Sequence, residues 1–241
     1  MKIIYYYHIP KCGGTTINEQ LKEFSQALEG EYYGFNFPMK KFSSLEETNN
    51  NNTLISFLER LNNKSNDLKF IHHHHGFYGI SEIFDLLLEE KRKAICAGNE
   101  FHLFTCVRNP LSFQLSQINY LKNSCGMTNL SFDDACKNSA HQNFMFKYFL
   151  YNHPRRWSDQ NLDQQYFTKI LGVMDKVFVL EKLNNLYDWL EGVVGLPVRS
   201  KARKANTGSH SLMPTEPQLE LLQKVNTLDQ FFYDSACNRS N

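Results

Sequence analysis

Charge of one sign is the first thing this sequence lacks: 26 Lys and Arg stand against 25 Asp and Glu, a formal net charge of +1. That balance argues against a general binder of nucleic acid or of membrane surfaces, because both need an excess of basic side chains. Any anion site must therefore be local. Paired cysteines are missing as well. The six cysteines, Cys12, Cys96, Cys106, Cys125, Cys136 and Cys237, form no C-x-x-C pair, so a zinc ribbon or thioredoxin-type motif is not supported. Most read as small core residues; a disulfide between Cys125 and Cys136 is the one pairing left open. No stretch approaches the ~18 apolar residues of a membrane span. The N-terminal run Ile3-Ile4-Tyr5-Tyr6-Tyr7 is stopped by Pro10 and Lys11, too early for a signal-peptide core. The chain as given reads as soluble and cytoplasmic; a catalytic piece of a membrane-anchored parent would read the same. No internal repeat and no domain boundary stand out.

What is there is a globular composition, 41% apolar and 21% charged over 241 residues, enough for one α/β domain over 1–241. The β-branched and aromatic run 2–8 predicts a buried strand. Ile17, Leu21, Phe24 and Leu28 recur at helical spacing and predict an amphipathic helix over 15–29. Further strands are predicted at Tyr32–Phe37, Leu68–His72, Phe101–Val107 and Val177–Leu180. Helices are predicted around Leu54–Leu61, at Ile83–Leu88, from Asn109-Pro110 through Ile118, over 140–151 and 162–171, through Leu183, Leu186 and Leu190, and over the tail Pro217–Phe232. Residues 43–53 and the basic stretch 199–212 read as loops. The alternation predicts a single α/β domain with a mainly parallel central sheet flanked by helices, and the strand, the Gly-rich turn Pro10-Lys11-Cys12-Gly13-Gly14 and the helix that open it predict a P-loop-like nucleotide-binding architecture.

The strongest local signal is His8-Ile9-Pro10-Lys11-Cys12-Gly13-Gly14-Thr15-Thr16, between the first strand and the first helix. Glycines let a backbone pass close to an anion. The helix N-terminus adds N–H groups and a positive dipole end. Thr15 and Thr16 add hydroxyls and Lys11 a mobile cation. Walker A spacing is absent, since the lysine precedes the glycines.

This string resembles the 5′-phosphosulfate loop of PAPS-dependent sulfotransferases (PAPS, 3′-phosphoadenosine 5′-phosphosulfate). It is most similar to the carbohydrate branch that includes heparan-sulfate 2-O-sulfotransferases. Thr105-Cys106-Val107-Arg108-Asn109-Pro110, continuing to Ser116, resembles the family's 3′-phosphate motif, in which Arg and Ser lie eight positions apart. Many members carry a basic residue midway between them, where this chain has Phe113. The resemblance implies donor contacts from Lys11, Cys12, Gly13, Gly14, Thr15, Thr16, Arg108 and Ser116. The segment from Arg199 to Ser209 resembles a basic loop near the end of such domains; Arg203 and Lys204 are its candidates for the 3′-phosphate or an anionic acceptor. Val177 to Leu183 resembles a late strand and helix start and takes no role.

The implied reaction moves a sulfuryl group from PAPS to an acceptor hydroxyl and releases PAP. The acceptor is a sugar or another small-molecule hydroxyl; no metal and no nucleic acid is required, and oligomeric state is left open. Lys11 would stabilise the leaving phosphate, and a histidine would take the acceptor's proton. His72-His73-His74-His75 before Gly76-Phe77-Tyr78-Gly79-Ile80 resembles the family's spaced histidines before an aromatic-glycine turn. Aligning Tyr78-Gly79-Ile80 with that turn puts His75 first as base. His73 then shares its side of an extended chain and is expected in the catalytic set as a supporting or substituting residue, while His72 and His74 face away. Which of the four is the base stays open, and Glu100 and Glu82 are the alternatives. The rival readings are a P-loop-like kinase using ATP and magnesium, and a non-catalytic PAP-binding protein.

Overall fold

The computed structural model describes residues 1–36, 56–57, 67–74, 83–138, 141–151, 164–195 and 214–239. Five strands, β1 (Lys2–His8), β2 (Glu31–Asn36), β3 (Leu68–His74), β4 (Glu100–Val107) and β5 (Lys176–Val179), form one sheet in the order β2-β3-β1-β4-β5. Every pairing is parallel, with Lys2 opposite both Leu68 and Glu100.

β1 lies at the centre because both of its faces are apolar. Ile3, Tyr5 and Tyr7 enter one core layer and Ile4 and Tyr6 the other, each 0 or 1% exposed. Two-sided burial is what a parallel sheet demands, and an unbroken apolar run supplies it. On the Tyr6 side lie α1 (Gly14–Ala27), through Ile17, Leu21 and Phe24, and α7 (Asn184–Val194), through Leu186, Tyr187 and Leu190. On the Tyr5 side lie α2 (Ile83–Cys96), α5 (Phe144–Tyr151), α6 (Gln164–Val173) and α9 (Thr227–Arg239). A smaller cluster joins α3 (Pro110–Ser124), α4 (Phe132–Lys137) and α8 (Glu216–Val225) through Ile118, Phe132 and Leu222.

The strand order fixes where a ligand site can form. From β1 the chain crosses to β2 on one side; from β4 it moves outward to β5 on the other. The carboxyl ends of these neighbours therefore border a topological switch point, the place where open α/β sheets leave a crevice.

The tail is helical as expected and is built as two helices, α8 and α9. At Asn226 the side chain leaves the helical pattern: its amide donates to the Leu222 carbonyl at 2.8 Å, and its oxygen accepts from the Asn143 N–H at 2.8 Å and from Gln114 Nε2 at 2.8 Å. The helix α4 was not anticipated, although Ser131 and Asp134 form a capping box at its start. Cys125 and Cys136 do not pair: both are free thiols, Cys125 exposed and Cys136 buried in the α3–α4–α8 cluster. No described helix is long and apolar enough to cross a membrane.

Candidate active site

The loop after β1 is shaped by two left-handed residues. Gly13 caps α1 with φ 80°, a conformation that costs a glycine nothing. Lys11 has φ 66° without that freedom. The first helical bond of α1 runs from the Ile17 N–H to the Gly13 carbonyl at 3.0 Å, so the amides before it point back toward the loop. No acidic residue occupies that first turn, which leaves its positive end unneutralised.

Cys12 anchors the loop from beneath. Its side chain is fully buried and its Sγ donates to Met145 Sδ at 3.6 Å. Burial first, and then the Cys106 thiol, push its own thiol pKa well up, so it stays a neutral packing group. What Cys12 can offer an anion is its backbone. Thr15 is exposed and Thr16 is buried.

Two contacts account for the glycines. A Cβ on Gly14 would lie 1.7 Å from His8 Nε2, and one on Gly13 would lie 2.3 Å from Leu180 Cδ1. His8 and Leu180 thus form the floor of the loop. Leu180 opens a single 3-10 turn, Leu180–Lys182, and the next residue, Glu181, accepts the Asn109 backbone N–H at 3.0 Å. The late strand segment, which carried no expected role, braces both motifs.

Arg108 follows β4 directly and meets the loop: its Nη1 donates to the Lys11 carbonyl at 3.4 Å. Asn109 caps α3 by accepting the Ser112 N–H at 3.2 Å, with Pro110 in the first turn. Ser116 is half-buried on that helix, two turns from Arg108. Lys11 Nζ stands over the Tyr120 ring, 4.1 Å from its centroid. Burial and then the Arg108 charge lower the Lys11 pKa, with the Cys125 thiol acting the other way. The cation remains charged but is held less firmly in that form than in water. Lys11 and Arg108, 97 positions apart, therefore meet at the neighbouring carboxyl ends of β1 and β4.

The histidines divide by strand alternation. His73 enters the Tyr5 layer, 1% exposed, with its Nδ1 2.9 Å from the Tyr5 hydroxyl and its ring edge-on to Tyr5 and Tyr7. That places His73 inside the packed core. His72 and His74 point to the other face, beside His8. His72 Nε2 lies 3.1 Å from His8 Nδ1, and the His8 and His74 rings stack at 4.0 Å. Tyr6 stacks on His8, His72 and Phe104 in turn. His8, inside the loop string but given no role from sequence, is the link between the loop and β3.

Glu100 lies at the wrong end. It opens β4 opposite Lys2, pairs with Lys2 at 3.5 Å and with His102 at 3.1 Å, and is roughly 20 Å of strand away from the loop. It cannot serve as base there. His75, Glu82, the turn at 76–80 and the basic residues Arg203 and Lys204 lie outside the described residues. No group of three potential metal ligands occurs among the described residues.

No protein-family model matches the chain, and no curated protein matches it in sequence. In three dimensions it is similar to a sulfotransferase from Alicyclobacillus acidocaldarius solved by crystallography. The TM-score is 0.54, over 97% of this chain and 94% of that one, at 14% identity. The arrangement described above, a single parallel sheet flanked by helices, is thus a fold shared with that sulfotransferase.

Proposed function

We propose that this chain, as one domain over 1–241, transfers a sulfuryl group from PAPS to an acceptor hydroxyl. The observation that carries the reading is the Arg108 to Lys11 contact at 3.4 Å. It brings the two motifs into contact, one at each of two neighbouring strand ends, as a shared donor site requires. The similarity in fold to a sulfotransferase supports the same reading.

In this reading the first-turn amides of α1, the loop backbone from Cys12 to Gly14, and the hydroxyls of Thr15 and Thr16 hold the 5′-phosphosulfate. Lys11 stabilises the charge that gathers on the bridging oxygen as the S–O bond breaks. Arg108 and Ser116 grip the 3′-phosphate, the planar guanidinium suiting two phosphate oxygens at once. Arg203 and Lys204 add charge at the 3′-phosphate or at an anionic acceptor. The acceptor oxygen attacks sulfur in line, its proton passes to His75, and PAP leaves. His73, enclosed beside Tyr5, takes only the supporting part of its expected role, steadying β3, and does not touch the acceptor. The acceptor class is a sugar or small-molecule hydroxyl.

Two measurements test this. PAP at millimolar concentration is expected to raise the melting temperature, while ATP with magnesium does not. The reverse result replaces this reading with a kinase-like one. In a PAPS turnover assay with a panel of sugar and small-molecule hydroxyl acceptors, His75→Ala is expected to lose at least a hundredfold in rate while PAP affinity stays within about threefold. Full turnover in that variant removes His75 from the role, and PAP binding with no turnover in the unmodified chain identifies a non-catalytic PAP-binding protein.

A further inference from the structure

We propose that Tyr120 is a positioning residue for Lys11, its ring fixing where the loop's ammonium stands when it meets the anionic donor. This rests on the sulfotransferase reading and deepens it with a residue that neither motif contains.

The Lys11 amine lies 4.1 Å from the Tyr120 ring centroid, inside the ~6 Å within which a cation is attracted to an aromatic face. Tyr120 sits on α3 one turn past Ser116 and two past Ser112, so the three share one stripe of the helix. The ring is 40% exposed, so core packing does not dictate its place. Its hydroxyl is instead near enough to the thiol of Cys125, the residue that caps the end of α3, for burial and that thiol together to raise its pKa. Lys11 is constrained at its other end too: its backbone is left-handed and its carbonyl is held by Arg108.

A lysine side chain has several soft torsions and spends little time at any one point unless it is held. A carboxylate could hold it, but would neutralise the charge a donor needs. An aromatic face holds the cation without cancelling it. It takes one side of the ammonium and leaves N–H donors free for the phosphosulfate. The ring also favours the charged form, working against the burial and the Arg108 charge that lower the Lys11 pKa.

The test compares Tyr120→Leu, Tyr120→Phe and Lys11→Ala with the unmodified chain, with Tyr120→Gln as a second ring-deleted variant should the leucine form be unstable. Acetic anhydride pulses at a series of pH values, read by mass spectrometry on the Lys11 peptide, give the protonation midpoint of that amine. Calorimetry with PAP gives donor-site affinity. Loss of the ring is expected to lower the midpoint by about 0.5 pH unit and to weaken PAP about fivefold. Y120F is expected to match the unmodified chain in both, and all variants to keep its melting temperature within about 3 °C. An unchanged midpoint in Y120L overturns the contact. A shifted midpoint with unchanged PAP affinity, where K11A does weaken PAP, overturns the positioning role alone. If K11A leaves PAP affinity unchanged as well, the donor reading falls, and this inference with it.

Discussion

At the scale of single residues, the tightest fit around the cleft is between Gly14 and His8. A methyl group on Gly14 has nowhere to go, because it would overlap the imidazole at 1.7 Å and that ring is itself bonded to His72 and stacked on His74. Gly14→Ala is therefore expected to destabilise the chain by about 1–3 kcal/mol through overpacking. His8→Ala in the same chain removes the obstacle, so the double variant is expected to melt higher than Gly14→Ala alone. Thermal unfolding of the three variants decides it; a single variant as stable as the parent contradicts the fit. Sequence showed that glycine was needed at this turn, since the loop string carries its own spacing. It did not show the reason at Gly14, because His8 is six positions away and closes from below only after the chain has turned. Tyr120 was invisible for a similar reason: its partner Lys11 is 109 positions away, and an aromatic on a helix stripe reads as core.

At the scale of elements, one of the links between α9 and α5 is a buried carboxyl. Asp229, 0% exposed on α9, accepts the Phe146 N–H at 2.8 Å near the start of α5. Burial pushes its pKa up to about 7 from an ordinary 3.8, against the pull of those backbone bonds and of Lys147. The folded chain therefore keeps this proton over a pH range in which the unfolded chain has lost it. Between about pH 4 and 7 the folded state binds more protons, so this group's contribution falls as pH rises through that window and levels off above 7. Asp229→Asn keeps an oxygen for Phe146 and has no proton to lose. Its melting temperature is expected to depend less on pH between 4 and 7 than that of the parent; identical profiles would show that Asp229 does not titrate there. Elements with strong periodicity were legible in the sequence, β1, α1 and β4 above all. The break at Asn226 was not, because what ends that helix is a set of long-range bonds to Asn143 and Gln114. The short α4 could have been read from Ser131 and Asp134, three positions apart before an alanine-cysteine pair.

At the scale of the whole molecule, binding should register as stability. PAP at a hundred times its dissociation constant adds about 2.7 kcal/mol by mass action. For a chain of this length that is a rise of roughly 5–11 °C in melting temperature. The parallel sheet with both faces covered was legible because strands and helices alternate and β1 is apolar throughout. The strand order was not: nothing local in the sequence says that β3 rather than β2 lies beside β1, since that choice depends on which crossovers the helices on each face can pack. That order has one more consequence. β1 and β4 are rungs of the same ladder, joined also by the Thr105 hydroxyl to the Tyr7 carbonyl at 2.7 Å, so they cannot drift apart while the sheet persists. Residues 11 and 108 follow those two ends, so the spacing of their backbones is set by the main chain, and under the proposed reading a donor anionic at both ends has to match that span, with Tyr120 trimming where the lysine's tip stands.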